Sequence, residues 1–461
     1  MRTSSPMSSY LRTMKESVSG DPNAVFVFLC NFEVERRWAQ SYTGLPGPQV
    51  SGSDETVQRL EELGALLGAE GDYLLLRSPL DPGFRAYAEG LGLAPPTELV
   101  PENCPEGAST SAAVLGSPVL LDRLRALGRA GAYLMPMGTS ADEQKIAETT
   151  GLRLAGADAD RAEKVNSKIY SRRITEQLGL RTIPGACCES VGELARALDT
   201  GLAASPAVIV KEAYGVSGRG LIVLRGRTQA DRLLRMVRRR AERTGSDRLD
   251  VVVEHFLPKR ADLNYQFTVG RDGGVHFDFV KEALTENGIH KGHLMPARLD
   301  RQQIADLEKT SLALGRRLFE DGFFGVVGVD ALLGEDSLVY PVLEINARLN
   351  MSSYQGRATE ALSRPGGMVL AKHYPLRLER PLAFTEIHEA LQGFHETDTE
   401  GTGILLTCFA TVNAQAASAT GPFDGRLYTL LFAPDRERLG KLDHDVTERL
   451  DALTTRKGNP R

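Results

Sequence analysis

Apolar positions recur along this chain with two periods, and each change of period marks the passage from a helix to a strand. Residues 53–67 place Val57, Leu60, Gly64 and Leu67 on one helical face, Ser117-Pro118 reads as an N-cap followed by the first helical residue, and Ser140 with Glu143 forms a capping box. Short strand-like runs at 25–30, 73–76 and 132–136 alternate with these helices. The alternation predicts an open α/β domain over residues 1–159.

From Asp160 onward the helices are marked by Ser167, by a second box at Ser190 and Glu193, and by Thr228 to Asp231. The strands are short and β-branched: 207–211, 220–224, 249–254, 264–269, 275–280, 326–333 and 338–345. Between the fifth and sixth lies an amphipathic helix, boxed by Asp300 and Gln303 and striped by Ile304, Leu307, Leu314 and Leu318. The basic run Arg235, Arg238, Arg239 and Arg240 faces away from Leu234, Val237 and Ala241 and reads as a solvated helix face. This block is taken as residues 160–380. Beyond Pro381 the composition turns to Thr, Ala and Gly, followed by a strand at 427–432 and a helix with Leu439, Leu442, Val446 and Leu450 on one face. That predicts a small C-terminal α/β unit, 381–461, covering an edge or walling the substrate site.

At 461 residues the chain is about three times an ordinary domain, in keeping with that division. Its 55 Lys+Arg against 60 Asp+Glu give a net charge of −5, which removes the electrostatic footprint of a general nucleic-acid binder. The Ser-rich residues 1–20 lack a signal-type apolar run and no later stretch reads as a membrane span, so a cytoplasmic protein with no membrane partner is expected. Cys30, Cys104, Cys187, Cys188 and Cys408 contain no C-x-x-C pair, and His290 with His293 has no completing ligand for zinc.

The strongest chemical signal begins at Val208-Ile209-Val210-Lys211-Glu212, a buried strand delivering a lysine, followed by Gly215-Val216-Ser217-Gly218-Arg219-Gly220 and another strand. A glycine-bearing hairpin tip lets backbone N–H groups approach an anion beside the Lys211 charge. Near the other end, the strand through Glu344 and Asn346 places both side chains on one face, and Asp330 lies on the preceding strand across a Gly334–Ser337 turn. Three oxygen donors converging this way, completed by substrate phosphates and water, suit Mg²⁺. Val251-Val252-Val253-Glu254-His255-Phe256-Leu257-Pro258 is a strand running into an extended segment that can present backbone to a purine edge.

Taken in this order, the elements resemble the ATP-grasp superfamily over residues 160–360. The resemblance implies an α/β fold with a pre-grasp domain ahead of the nucleotide-binding subdomains, and a lid subdomain of about residues 205–258. By the same resemblance Lys168 and Lys211 are phosphate lysines, Gly215, Ser217, Gly218 and Gly220 form the glycine-rich lid, Glu254, His255, Phe256 and Leu257 form the adenine hinge, and Asp262 contacts the ribose. Asp330, Glu344 and Asn346 become the metal set, and Arg348 the arginine on the transferred phosphate and acyl intermediate. Lysine before glycine loop is the reverse of the protein-kinase order, and no G-x-x-x-x-G-K-[ST] is present.

The implied activity is that of an ATP-dependent carboxylate–amine ligase passing through an acylphosphate, with ATP and Mg²⁺ (or Mn²⁺) as cofactors and with similarity to the peptide ligases of antibiotic biosynthesis. Implied partners are a small-molecule acid and an amino-acid or peptide amine, and a homodimer is compatible with the pattern. Other activation chemistry on the same fold, carboxyphosphate or thioester formation, and a non-catalytic nucleotide-binding scaffold remain open. For substrate contacts the sequence offers Asp278 or Glu282 on the strand beginning at 275, below an expected loop at 284–298, together with Asn350 and Ser352 just past the metal strand.

Overall fold

Buried apolar runs sort the strands into three sheets in the computed structural model, which describes residues 8–46, 54–105, 107–215, 220–286, 289–395 and 401–455. The first sheet is parallel, in the order β3-β2-β1-β4-β5, from β1 (Phe26–Leu29), β2 (Tyr73–Leu75), β3 (Thr97–Leu99), β4 (Tyr133–Pro136) and β5 (Arg153–Leu154). Helix α1 (Ser9–Ser19) precedes it, and the short α2 (Val34–Trp38) follows β1. The 53–67 stripe is divided into the helical segments Asp54–Arg59, Leu60–Leu63 and Gly64–Leu67. It is buried all round from 60 to 67, because residues just past the strand Gly403–Cys408 close over its outer side: Glu62 accepts the Phe409 and Ala410 N–H groups.

Helix α3 (Lys168–Gln177) leads into a four-stranded antiparallel sheet in the order β6-β9-β7-β8, from β6 (Gly185–Ser190), β7 (Val208–Glu212), β8 (Leu221–Leu224) and β9 (Arg248–His255). Helices α4 (Val191–Ala204) and α5 (Arg227–Thr244) supply the core of this lobe, with Leu194, Leu198, Leu234 and Val237 packed on Val208, Val210, Val251 and Val253. Those strand residues share one face, so Ile209, Lys211, Val252 and Glu254 occupy the other.

The third sheet has eight antiparallel strands in the order β14-β13-β10-β11-β12-β15-β17-β16. They are β10 (Lys259–Val269), β11 (Val275–Glu286), β12 (Ile289–Met295), β13 (Gly325–Gly334), β14 (Val339–Asn346), β15 (Met368–Leu378), β16 (Gly403–Cys408) and β17 (Phe423–Ala433). Helix α6 (Arg301–Glu320) covers one face, its Leu307, Leu314 and Leu318 meeting Leu263, Tyr265 and Phe267. Helix α7 (Arg436–Thr455) packs at the far end on β15 and β17.

Two expectations change here. The segment 284–298 is not a loop over the site: it forms the end of β11 and all of β12, paired in register Glu282↔Leu294 and His293↔Ala283. The C-terminal residues contribute the expected strand, as β17, and the expected helix, as α7, but also the unexpected β16, and both strands continue the central sheet through β15 rather than building a sheet of their own. No helix among the described residues is long and apolar enough to cross a membrane.

Candidate active site

Helix α3 joins two of the sheets with one face. Its N-cap, Ser167, accepts the Ile169 N–H, which places Lys168 at the first helical position. Lys168 Nζ reaches the eight-stranded sheet, donating to Glu344 Oε1 at 2.5 Å, and also donates to the Gly215 carbonyl at 3.3 Å. One helical turn later Arg172 points to the smaller sheet, where Nη1 donates to Glu254 Oε1 at 3.1 Å and Nη2 to the Gly185 carbonyl at 3.1 Å. Lys211 closes the same cluster, its Nζ lying 2.6 Å from Glu254 Oε2. Both lysines are thus buried but paired, which is the condition for holding cations at these positions.

The strands flanking the glycine run pair in antiparallel register, with Lys211 opposite Leu221 and the Glu212 N–H donating to the Gly220 carbonyl at 2.9 Å. Gly220 has φ +76°, and a Cβ there would lie 2.5 Å from Glu212 Oε2, so glycine is required on both counts. Gly215 is described at the base of this turn; Ser217 and Gly218 lie outside the described residues. At the expected hinge, His255 and Phe256 donate their N–H groups to the Pro184 and Ala207 carbonyls, and Leu257 follows in the segment leading to β10. The Phe256 ring is exposed, with the Arg225 guanidinium 5.3 Å from its centroid.

Across the cleft, β13 and β14 pair Asp330 directly with Glu344, and Gly328 with Asn346. Asp330 is oriented by two amides: Asn264 Nδ2 donates to Oδ1 at 2.9 Å and Asn346 Nδ2 to Oδ2 at 3.2 Å. Burial raises the Glu344 carboxyl above the ordinary carboxylate range; Lys168 opposes that shift, and the Asp330 and Glu35 charges reinforce it. Two facing carboxylates that share one lysine are hard oxygen donors of the kind a divalent cation takes. Among the described residues no group of three or more His, Cys, Asp or Glu side chains could hold a metal ion. Asp262 stands on β10 two residues before Asn264 and therefore on the same face; it pairs with Lys259 at 2.5 Å and accepts the Thr285 hydroxyl.

Arg348 sits just past β14, with only 9% of its side chain exposed. Nη2 donates to Asn346 Oδ1 at 2.9 Å and to Glu35 Oε1, and Nη1 donates to the Leu349 carbonyl at 3.0 Å. Nε is buried without a hydrogen-bond partner among the described residues. A buried guanidinium N–H without a partner is costly, and an anion is the kind of group that could accept it.

Known proteins share parts of this sequence and its fold. Residues 60–152 match the pre-ATP-grasp domain, and residues 167–359 match the ATP-binding domain of the carbamoyl-phosphate synthase L chain. The chain carries a pre-ATP-grasp domain and an ATP-grasp domain. Over 193 residues it is 29% identical to the [butirosin acyl-carrier protein]–L-glutamate ligase of Niallia circulans, a match covering 41% of this chain and 45% of that protein. The chain thus spans less than half the length of that relative. The fold is shared with the biotin carboxylase of Campylobacter jejuni in its β,γ-ATP complex, at TM-score 0.54 and 12% identity over 94% of this chain and 95% of that one. It is also shared with the N5-carboxyaminoimidazole synthetase of Staphylococcus aureus complexed with ADP, at TM-score 0.51 and 12% identity over 93% and 97%.

The candidate substrate residues divide within this ATP-grasp frame. Glu282 pairs in register with Leu263, whose face packs on α6, so it lies opposite the Asp330 face and is bound by Arg298 through Nη2 at 2.8 Å and Nε at 3.1 Å. The sequence expectation for Glu282 is therefore corrected: alternation along β11 turns it away. Asp278 accepts from Gln266 Nε2 at 2.8 Å and Thr268 Oγ1 at 3.0 Å and contacts His276 Nδ1 at 2.9 Å, which occupies its oxygens beside α1. Ser352 is fully buried and donates to Asn264 Oδ1 at 2.8 Å, so it braces the amide that orients Asp330. Asn350 accepts the Ser352 N–H at 2.8 Å and packs its amide against Gly328, where a Cβ would lie 2.0 Å from Nδ2.

Sequence reasoning passed over Asn264, Gln266, Lys281, Arg172 and Glu35. The first two were visible as polar residues alternating with Leu263, Tyr265 and Phe267 in an otherwise apolar strand. Lys281 is buried on the same face, donating to the Ser352 carbonyl at 3.0 Å and Gln355 Oε1 at 2.9 Å, and burial drives its ammonium well below the ordinary lysine range.

Proposed function

We propose that this chain is an ATP-dependent carboxylate–amine ligase that forms an amide through an acylphosphate and releases ADP and phosphate. The observation that carries the reading is Arg348, whose buried Nε has no hydrogen-bond partner among the described residues and whose Nη2 is held by Asn346, the amide that also donates to Asp330. A carboxylate and an amine do not condense at neutral pH until the acid gains a leaving group. In the proposed first step a carboxylate oxygen of the acid attacks the terminal phosphorus and ADP departs. In the second the amine attacks the acyl carbon, phosphate departs, and the ammonium proton is lost to solvent or base.

The chain's part is positional. Lys168, from the start of α3, and Lys211, from β7, would place their ammonium groups toward the triphosphate, each now resting on a carboxylate that nucleotide would replace. Asp330 and Glu344, with the Asn346 amide oxygen, would hold Mg²⁺, which neutralises phosphate charge when bound. Arg348 Nε would hold the transferred phosphate and then the carbonyl oxygen as it gains charge. No side-chain nucleophile is needed, consistent with the thiols of Cys187 and Cys188, which burial pushes up to about 11 and about 12.

The acid and amine are proposed from resemblance. The stretches 211–218 and 344–352 resemble the peptide ligase of pheganomycin biosynthesis, which favours an unusual amino acid joined to the amino end of a peptide in antibiotic biosynthesis. The glutamate ligase relative acts on an amino acid and a carrier protein by its name, and supports the amino-acid class of substrate. A screen of pooled acids, amino acids and peptides with Mg-ATP, read by mass spectrometry, tests the reading. Amide product with equimolar ADP supports it; ADP release that depends on bicarbonate, or a thioester product, would replace it with other ATP-grasp chemistry.

A further inference from the structure

The pre-grasp domain reaches into the site at one side chain. Glu35 lies on α2, which is a single short helix after β1, and the only residue outside the ATP-grasp domain that Arg348 contacts among its described hydrogen bonds is this carboxylate. Both members of the pair are almost completely enclosed, with 9% and 8% of their side chains exposed.

Helix α2 is too short to hold itself in place and is fixed by packing. Val34 and Trp38, one turn apart, are buried against Ile169, Ala213, Tyr214 and Val252, residues of α3 and the lid lobe. Trp38 also donates its indole N–H to the Thr139 carbonyl at 3.0 Å. The sole tryptophan therefore anchors the helix to both domains, and Glu35 projects from between its two anchors. A second tie runs parallel to the first: the Leu349 N–H donates to the Met137 carbonyl at 2.9 Å, just beyond β4. Arg348 and the residue after it are thus both braced from the pre-grasp domain.

We propose that Glu35 is a positioning residue for Arg348, through which the pre-grasp domain sets the aim of the guanidinium in the ligase reaction. The proposal rests on the ligase reading of Arg348 given above. An arginine has five N–H donors in a rigid planar fork. Glu35 and Asn346 hold one arm and the Leu349 carbonyl the other, so the plane is fixed and Nε is the edge left for the reacting anion. Without Glu35 the guanidinium keeps its charge but loses the partner that fixes the plane. Ground-state binding of nucleotide, which rests on Lys168, Lys211 and the hinge, should then survive while the chemical step slows.

The test is a double-mutant cycle of Glu35→Gln and Arg348→Ala, read twice in the full chain: as the thermal midpoint with Trp38 emission, and as kcat and KM for ATP in ADP release with the substrates found by the screen. Glu35→Gln is expected to lower kcat by 10-fold or more, leave KM for ATP within 2-fold, and leave Trp38 emission unchanged. In the Arg348→Ala background it should cost no further activity. Glu35→Asp, which keeps the charge, should recover part of the loss. Wild-type kcat in Glu35→Gln, or a loss that adds fully to that of Arg348→Ala, would overturn the proposal. Wild-type kcat in Arg348→Ala would instead sink the role given to Arg348, and with it this one; non-additive thermal midpoints alone would then report a structural contact and count against positioning.

Discussion

Lys168 Nζ lies 2.5 Å from Glu344 Oε1, an ion pair between residues 176 positions apart that closes the cleft between α3 and β14. The lysine proposed to bind phosphate thus rests on the carboxylate proposed to hold the metal, and in that reading Mg-ATP would separate them by giving each its own partner. Glu344→Gln removes the charge at nearly constant shape. Turnover should fall by about 100-fold or more, while the thermal midpoint changes little, since Lys168 keeps the Gly215 carbonyl as acceptor. Turnover near wild type at limiting Mg²⁺ would remove Glu344 from the metal set.

Asn264 acts one step further out. It orients Asp330 and is itself held by Ser352, so Asn264→Ala frees the carboxylate without removing it. The Mg²⁺ concentration giving half-maximal rate should rise about 10-fold or more, as for other residues that orient metal ligands. At saturating Mg²⁺ the rate should largely recover. An unchanged Mg²⁺ requirement would mean that Asp330 needs no orientation.

The pre-grasp domain carries a pH dependence of its own. Burial pushes the Glu61 carboxyl up to about 7, against the Arg59 charge, the Arg77 N–H and the Thr110 hydroxyl, which lower it. The folded state therefore keeps a proton that the unfolded chain has already released. Its stabilising contribution is complete below the ordinary carboxylate range and is lost as pH rises through about 7. Glu61→Gln removes this titration, with the Thr110 hydroxyl free to turn from donor to acceptor. The variant should gain on the wild type between pH 5 and pH 8 by on the order of 1–3 kcal/mol, measured by thermal or denaturant midpoints. A gap that stays constant with pH would contradict the assignment.

Gly220 tests the base of the glycine hairpin. Gly220→Ala meets both a positive φ of +76° and the Glu212 carboxylate, which also accepts the Leu45 N–H at 2.6 Å. Gly131→Ala is a control, having φ +85° with no atom within 4 Å of the added Cβ. The control should cost about 1–2 kcal/mol from φ alone, and Gly220→Ala more. Adding Glu212→Ala should bring the Gly220 cost, relative to that background, down to the control value; if it does not, the clash is not with Glu212.

What the sequence made legible was local. Lys211 and its glycine turn, and Asp330 facing Glu344 across a short turn, follow from strand alternation and spacing alone. Glu35 and Arg172 were not legible, because their importance lies in partners 313 and 82 positions away, and neither a short polar helix nor an arginine in an amphipathic helix announces such a partner. Glu282 was misplaced for a related reason. Alternation says that neighbours on a strand point to opposite faces, but only pairing with β10 shows which face holds the site, and a slip of one residue reverses the answer. The strand at 427–432 read correctly, while β16 went unread in its Thr-, Ala- and Gly-rich surroundings, and the membership of both in the central sheet depends on the pairing of β15 with β12 and β17, which no local pattern encodes.

Transfer of oxygen from the acid to the phosphate tests the central claim most directly. Once a turned-over acid is in hand, its carboxylate is labelled with ¹⁸O and the spent mixture is analysed by mass spectrometry with the nucleotide resolved by chromatography. Attack of the carboxylate on the terminal phosphorus carries one labelled oxygen into inorganic phosphate, and the nucleotide released is unlabelled ADP. Label in AMP, with pyrophosphate as the other product, would place the attack at the α-phosphorus and contradict the mechanism assigned to Lys168, Lys211 and Arg348.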